Sequence, residues 1–243
     1  MDRHTDHRLA SGRRRRRARR DASCRIRSTD RFRNVWEAHA SLQLRHGNPQ
    51  ALDTYTCAGR IHAAPFSEHL DTIAITWIST HQRGQHLAIT ATSNEHVAAI
   101  NATIQQHRHR AGELGGDAVI GEYGSFHVGE VIVTRRNERH LHTNRGDSVR
   151  NRDYWTIDTI TPAGDVGATR LDGRGTITLP NAYVRDHVQL GYAATEPGNQ
   201  SDTADHSITL ASTATTCRGL YVGVTRGRDT NTICVITDTH HTA

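Results

Sequence analysis

Apolar residues in the first part of the chain recur at helical spacing. Val35, Ala38 and Leu42 share one face of a predicted helix, because residues three or four positions apart lie on the same side of a helix. Pro49 and Gly59 then bound a short helix, since proline suits the first helical turn and glycine the position after the last one. An apolar stripe predicts a third, longer helix: Leu70, Ile73, Ala74, Trp77 and Ile78.

The next segment changes from strand-like to helical within a few residues. Residues 86–91 (HLAITA) form a short apolar run that predicts a buried strand. Residues 92–95 (TSNE) match a capping box, which predicts a helix with Val97, Ile100 and Ile104 facing inward. A strand, a polar turn and a helix in this order indicate an α/β fold.

The pattern changes again near residue 121. Residues 131–133, 155–160 and 176–179 are short β-branched runs separated by Gly, Asn and Asp, which predicts a small antiparallel β-barrel inserted in the α/β domain. A strand-like run at 208–210, a helix at about 213–224 and a final strand at 232–237 then return to the α/β pattern. The predicted division of the chain is a tail at 1–28, a first α/β part at 29–120, the barrel at 121–187 and a closing α/β part at 188–243.

Composition excludes one class of enzyme. The chain has 243 residues, and all of its 30 basic residues are arginine. A Walker A phosphate loop needs a lysine that reaches the β- and γ-phosphates of ATP. The chain is therefore not a self-contained P-loop ATPase. Its 18 histidines include no HExxH pair, so we interpret them as solvated side chains and expect no metal site.

Positive charge is concentrated at the start of the chain. Residues 1–20 carry nine arginines and two aspartates, whereas residues 21–243 carry 21 arginines and 23 acidic residues. The run RRRRRARR at 13–20 has no apolar periodicity, which predicts disorder. It is either an arm that binds nucleic-acid phosphates or a tail without an evolved role.

Cysteine spacing and hydropathy indicate the cellular compartment in which the protein is expected. The four cysteines, Cys24, Cys57, Cys217 and Cys234, are widely spaced without a CxxC pair, which favours reduced thiols. No apolar run approaches the roughly 18 residues of a membrane span, and no secretory leader pattern opens the chain. The sequence predicts a cytoplasmic protein without a membrane partner.

Four stretches together resemble a known family. They are residues 90–101 (TATSNEHVAAIN), 129–137 (GEVIVTRRN), 191–205 (GYAATEPGNQSDTAD) and 219–228 (GLYVGVTRGR). From about residue 31 to the end, the chain resembles the C-terminal motor half of RecD-like superfamily 1 DNA helicases, in particular the helicase region of conjugative relaxases of the TraI/TrwC type. The resemblance implies an α/β, RecA-like (P-loop NTPase-type) motor domain that lacks its own P-loop and carries an inserted small SH3-like β-barrel.

The stretch at 219–228 resembles helicase motif VI. The resemblance implies that Arg226 is catalytic and reaches the γ-phosphate of ATP across a domain cleft, with Arg228 as a further nucleotide contact. A guanidinium suits this role because it stays charged and bonds phosphate oxygens in a planar fork. The alternative for both arginines is an exposed last helical turn, where the helix dipole favours positive charge.

The stretch at 191–205 resembles motif V and implies three contacts. Gln200 and Thr203 would bind the nucleotide, and Thr195 would bind the DNA backbone. Pro197 and Ser201 depart from the family pattern, which commonly has histidine and glycine there. Because proline has no backbone donor, the departure puts the coupling of DNA binding to hydrolysis in doubt. An ordinary Gly/Pro turn is the alternative.

Arginines cluster at the predicted mouth of the barrel. The candidate DNA-binding residues are Arg135, Arg136, Asn137, Arg150 and Arg152. Tyr154 and Trp155 could stack on bases, although the spacing of Trp155 favours a place in the barrel core. Solvated surface charge is the alternative for the arginines.

The sequence therefore predicts the C-terminal half of an ATP-dependent DNA helicase or conjugative relaxase that binds single-stranded DNA. ATP with Mg²⁺ would bind only together with a missing Walker A/B domain, supplied by a separately encoded P-loop motor domain or relaxase. The protein would be split or truncated and inactive alone. The alternatives are a non-catalytic nucleic-acid-binding module and a decayed remnant without activity.

The absence of lysine leads to a direct prediction. The purified chain should show no DNA-stimulated ATP hydrolysis, because none of its residues can hold the β- and γ-phosphates as a Walker A lysine does. A phosphate-release assay with and without single-stranded DNA measures this. Turnover that is lost in the Arg226→Ala variant would contradict the prediction.

Overall fold

The computed structural model describes residues 32–196, 198 and 203–237, which form six helices and fourteen strands. The helices are α1 (Val35–Arg45), α2 (Gln50–Cys57), α3 (Phe66–Gln82), α4 (Asn94–Arg110), α5 (Asn181–His187) and α6 (Cys217–Gly223). The first seven strands are β1 (Ile61–Ala64), β2 (Leu87–Ala91), β3 (Ala118–Gly121), β4 (Gly124–His127), β5 (Val131–Thr134), β6 (Glu138–His142) and β7 (Ser148–Val149). The others are β8 (Tyr154–Ile160), β9 (Val166–Arg170), β10 (Thr176–Leu179), β11 (Val188–Leu190), β12 (Ala193–Thr195), β13 (Ala204–Ala211) and β14 (Gly227–Ile236).

A five-stranded parallel sheet is built from the first and last parts of the chain. Its strand order is β1-β14-β13-β2-β12, and every neighbouring pair is parallel. Ile208 of β13, for example, lies opposite both Ile89 of β2 and Thr232 of β14. The predicted α/β fold is thus confirmed, and the carboxyl ends of all five strands meet at one edge of the sheet.

Helices cover both faces of this sheet. Alternate residues of β14 point to opposite faces, so Cys234 joins one apolar core and Ile233 the other. The first core holds the inward stripes of α3 and α4, including Ile73, Trp77 and Ile100. The second is formed largely by α1, α2 and the residues after α6: Ala40, Leu44, Ala51, Tyr55, Ala211, Val224 and Ile233.

The middle of the chain forms a second, antiparallel sheet of order β10-β9-β8-β5-β11. The hairpins β3–β4 and β6–β7 accompany it. Its core contains the fully buried residues Phe126, Ile132, Trp155 and Leu179. The runs predicted at 131–133, 155–160 and 176–179 are therefore strands, as expected. In the described residues β10 and β11 are the outer strands, and the SH3-like form of this region stays a prediction.

A buried polar network joins the two sheets. Glu130, which precedes β5, is fully buried and accepts hydrogen bonds from Gln105 Nε2 at 2.9 Å, His127 N at 2.8 Å and the Tyr192 hydroxyl at 3.3 Å. Arg108 of α4 donates to the Tyr192 hydroxyl at 3.0 Å and to Gly129 O at 2.9 Å. Because unpaired buried groups are costly, this network fixes the antiparallel sheet against α4.

Most predicted helix boundaries agree with the structure. The predicted helix after β2 is present, but its cap lies one residue later than the capping box at 92–95 predicts. Ser93 caps α4 and accepts a hydrogen bond from His96 N at 3.1 Å, whereas Thr92 Oγ1 bonds to Thr215 Oγ1. The predicted helix at about 213–224 is shorter, because Thr216 caps α6 and the residues before it form a turn. None of the helices within the described ranges is both long and apolar enough to cross a membrane.

The junction network predicts a pH effect on stability. Burial raises the pKa of Glu130 above its ordinary value of 4.5, so the folded state holds this proton more tightly than the unfolded chain does. The corresponding stability is fully present below pH 4.5 and is lost as the pH rises through the folded pKa. In the Glu130→Gln variant, the unfolding free energy should therefore decrease less steeply with rising pH than in the wild-type protein.

Urea unfolding monitored by fluorescence at a series of pH values provides the measurement. Glu122→Gln is the matched control because Glu122 is exposed in the same region. If Glu130→Gln loses stability with pH as steeply as the wild-type protein, the buried carboxyl does not titrate as described.

Candidate functional site

Threonines gather at the carboxyl edge of the parallel sheet. Thr195 ends β12, Thr92 directly follows β2, and Thr215 and Thr216 lie just before α6. A cavity of about 60 Å³ opens among several of these residues. Its lining comprises Thr90, Ala91, Thr92, Glu196, Thr209, Leu210, Ala214, Thr215, Thr216 and Gly219. Hydroxyl groups therefore dominate the polar surface of this cavity.

Hydrogen bonds fix several of these hydroxyls. Thr92 Oγ1 and Thr215 Oγ1 are 2.7 Å apart, and Thr216 Oγ1 accepts from Gly219 N at 3.0 Å. Thr209 Oγ1 is buried and has no hydrogen-bond partner within the described part of the chain. This oxygen lies against Gly223 of α6, so the residue lines the cavity without its hydroxyl being shown to face it.

Two opposite charges lie at the same edge. Arg218 Nε of α6 is 3.9 Å from Glu196 Oε1, at the outer limit of an ion pair. The Arg218 side chain is 79% exposed and that of Glu196 is 28% exposed. An exposed pair at this distance contributes little to stability.

The motif VI arginines occupy the opposite edge. Arg226 lies in the turn between α6 and β14, with only 7% of its surface exposed. Its Nε donates to Val222 O at 2.9 Å, and its Nη2 donates to Thr225 Oγ1 at 3.0 Å. Arg228 is exposed at the start of β14. The Arg226 guanidinium is thus hydrogen-bonded to the end of its own helix. To contact a γ-phosphate, as predicted, it would have to exchange these bonds.

A buried carboxamide holds this turn in place. Asn231 Oδ1 accepts hydrogen bonds from Gly227 N at 2.8 Å and from Ser207 Oγ at 2.7 Å. Asn231 N donates to Glu37 Oε1 at 3.1 Å, and both Glu37 and Asn231 are fully buried. Burial raises the pKa of Glu37, although the bonds from Asn231 oppose this shift. The first helix and β14 together therefore set the shape of the turn.

The predicted arginines of the antiparallel region lie in two facing loops. Thr134 Oγ1 donates to Arg150 O at 2.6 Å, and Asn151 N donates to Asn137 Oδ1 at 2.8 Å. Arg136 Nη1 lies 3.0 Å from His187 Nε2, which follows from the pairing of β5 with β11. The structure thus brings together the predicted group of five residues: Arg135, Arg136, Asn137, Arg150 and Arg152. All five are exposed.

A second cavity connects this region with the amino edge of the parallel sheet. It has a volume of about 370 Å³ and is lined by His86, Arg152, Asp153, Tyr154, Arg170, Leu171, Asp172 and Thr203. Arg152 was assigned to DNA by sequence and Thr203 to nucleotide, yet both line this cavity. Arg152 also has a backbone φ of 72°, in the left-handed region that favours glycine.

The structure thus separates the predicted residues into two groups. Thr195 lies at the carboxyl edge, whereas Thr203, Arg226 and Arg228 lie at the amino edge of the same sheet. Gln200 and the tail at 1–28 lie outside the described residues. Trp155 is fully buried, in agreement with a core position. Among the described residues, no cluster of three or more His, Cys, Asp or Glu side chains could hold a metal ion.

Sequence analysis missed the threonines around Thr195 and the residues that hold the motif VI turn. Thr92 and Thr215 are 123 positions apart, so only the strand order shows that they meet. The same applies to Glu37 and Asn231, which are 194 positions apart. A usable signal was present at the strand ends, because Thr92 and Thr216 each come shortly after a predicted buried strand.

Curated relatives match only part of the chain. No protein-family profile matches it. Two uncharacterized proteins, from two strains of Mycobacterium tuberculosis, are each 30% identical over 87 residues. Each match covers 35% of this chain and 50% of the relative, so the similarity spans half the length of those proteins.

Solved structures share the fold. A Bacteroides Pif1 helicase bound to single-stranded DNA matches with a TM-score of 0.52 and 15% identity, over 83% of this chain and 49% of that chain. A structure of two coordinating Pif1 helicases at forked double-stranded DNA matches with a TM-score of 0.50 and 16% identity, over 83% and 48%. The α/β fold is thus similar to about half of these Pif1 helicase chains, which confirms the coarse fold predicted from the sequence.

The buried pair that holds the motif VI turn predicts a stability effect. Asn231→Ala would leave Gly227 N and Ser207 Oγ without their acceptor, and it would remove the bond that Asn231 Nδ2 donates to Glu37 Oε2 at 3.3 Å. We expect the free energy of unfolding to fall by about 2–4 kcal/mol, because buried polar groups that lose their partners are costly. Urea denaturation provides the measurement, with the exposed Asn151→Ala as control. A loss as small as that of the control would show that Asn231 does not hold the turn.

Proposed function

We propose that this chain is the second motor-domain half of a DNA helicase and binds single-stranded DNA along the carboxyl edge of its parallel sheet. The observation that carries the proposal is the separation of the candidate residues. The threonines around Thr195 lie at one edge of the sheet, and Arg226 with Thr203 lies at the other. A helicase needs its DNA track and its nucleotide contacts on different surfaces of one rigid element, because each must meet a different partner.

The chemistry of the carboxyl edge suits a sugar-phosphate backbone. Hydroxyl groups of Thr195, Thr215 and Thr216 can donate to phosphate oxygens without reading the bases. The amino end of α4 adds backbone donors beside Thr92, and a helix of this length favours an anion there. The solved helicase bound to single-stranded DNA has the same fold and supports this class of ligand.

The amino edge suits one side of a nucleotide site. Arg226 and Arg228 would face the phosphates of ATP, and Thr203 and Gln200 would contact the nucleotide. Bound ATP with Mg²⁺ would supply the phosphoryl group to be cleaved. These four residues would form only one side of such a site. The chain contains no lysine that could hold the β- and γ-phosphates from the other side. A separately encoded domain with Walker A and B motifs would supply the rest.

The finer assignment follows the sequence resemblance. We propose that the helicase is of the conjugative-relaxase type and that the antiparallel region is an SH3-like barrel. Its exposed residues Arg135, Arg136, Asn137 and Arg150 would extend the DNA surface. The second candidate function is a non-catalytic nucleic-acid-binding module, which the absence of lysine favours.

The DNA surface can be tested on the chain alone. Thr195→Val removes one hydroxyl and keeps the shape of the side chain. We expect binding to a fluorescent oligo-dT to weaken about fivefold, because this is the effect of losing one hydrogen bond. Fluorescence anisotropy at fixed salt measures the affinity. Thr54→Val on the exposed surface of α2 is the matched control. Equal affinities of the two variants would contradict a DNA track at this edge.

A further inference from the structure

Arg218 is an exposed arginine at the carboxyl edge of the parallel sheet and lies beside a residue of opposite charge. It is the second residue of α6, and its Nε lies 3.9 Å from Glu196 Oε1. Sequence comparison assigned it no role. A pair so long and so exposed is easily exchanged for another partner, because water screens the attraction.

Glu196 lies where an approaching phosphate would pass. It directly follows Thr195, and its side chain lines the threonine-rich cavity. Its Oε2 is 2.7 Å from the position that a Cβ on Gly219 would take. The Glu196 carboxylate therefore lies against the first turn of α6. It fits there because position 219 is a glycine, which has no side chain.

Threonines line the cavity beside this pair, and some of them are buried. Thr209 is 2% exposed, and its hydroxyl lacks a partner in the described ranges. Thr215 Oγ1 and Thr216 Oγ1 line the same cavity. The hydroxyls of Thr215 and Thr216 can donate to a phosphate oxygen or to the water that accompanies it.

We infer that Arg218 binds a phosphate of single-stranded DNA and that Glu196 is the partner it exchanges for that phosphate. The inference rests on the proposed function. Without DNA, the carboxylate holds the guanidinium at the cavity. When a strand binds, the phosphate takes the place of the carboxylate, because guanidinium and phosphate form two parallel hydrogen bonds. Glu196 thus competes with the phosphate for Arg218 and lowers the affinity for DNA only through that residue.

Exchange of Glu196 for a phosphate at Arg218 can be distinguished experimentally from direct repulsion between Glu196 and DNA. If Glu196 acts through Arg218, removing its charge matters only while Arg218 is present. If Glu196 merely repels the strand, removing its charge strengthens binding whether or not Arg218 is present. A double-mutant cycle separates the two, because it isolates the interaction between neighbouring residues.

The experiment measures binding of a fluorescein-labelled oligo-dT to the full chain by anisotropy, over a series of salt concentrations. The variants are Glu196→Gln, Arg218→Ala and the double variant, with Arg83→Ala as a matched exposed arginine at the end of α3. We expect Glu196→Gln to bind about threefold more tightly and Arg218→Ala about fivefold more weakly. Arg218→Ala should also reduce the slope of log affinity against log salt by about 0.7, the value for one phosphate contact on a single strand.

The double variant decides the inference. It should bind like Arg218→Ala alone, and Arg83→Ala should bind like the wild-type protein. A double variant that keeps the threefold gain, or an unchanged salt slope in Arg218→Ala, would overturn the exchange while the proposed function stands. Wild-type protein that does not bind the oligonucleotide would instead overturn the proposed function. Urea unfolding of each variant shows that the changes in binding do not arise from loss of fold.

Discussion

The parallel alignment of the five strands in the first sheet determines where each candidate residue lies. Because every neighbouring pair is parallel, the segments after β2, β12 and β13 leave the sheet at one edge, and the segments before β13 and β14 enter it at the other. Thr195 and Arg226 therefore cannot share a surface, although both lie in the last quarter of the chain. Thr195 and Thr203, which the sequence resemblance places in one motif, likewise lie at opposite edges.

The buried network around Glu130 has a related role for the second sheet. Tyr192 belongs to the core of the parallel sheet, where it packs edge-on against Trp77 with 4.7 Å between ring centroids. Its hydroxyl accepts a hydrogen bond from Arg108 and donates one to Glu130, beside the second sheet. Burial and the neighbouring Glu130 raise the pKa of Tyr192, so the phenol keeps the proton that it donates. An apolar contact alone would allow the sheets to slide, whereas directional bonds to a fully buried carboxyl fix one orientation.

Much of the fold could be predicted from local pattern, and much of the site could not. The runs at 86–91 and 131–133 are largely apolar, and β2 and β5 are fully buried strands. Strand β1 was missed because its sequence, IHAA, is short and half-exposed, and its place in the sheet depends on pairing with β14. Thr195 and Arg226 are candidates through the family resemblance alone, and their roles stay predictions. The Glu37–Asn231 pair depends on a contact between distant parts of the chain, which local patterns do not encode.

The central claim is that the two edges of one sheet serve different ligands, with single-stranded DNA at the carboxyl edge. Hydrogen exchange of backbone amides with and without oligo-dT tests it most directly, because it reports each segment separately. We predict slower exchange on DNA binding at residues 92–96 and 215–220, with unchanged exchange at residues 224–230. Protection confined to residues 224–230, or no protection at the carboxyl edge under saturating DNA, would contradict the account.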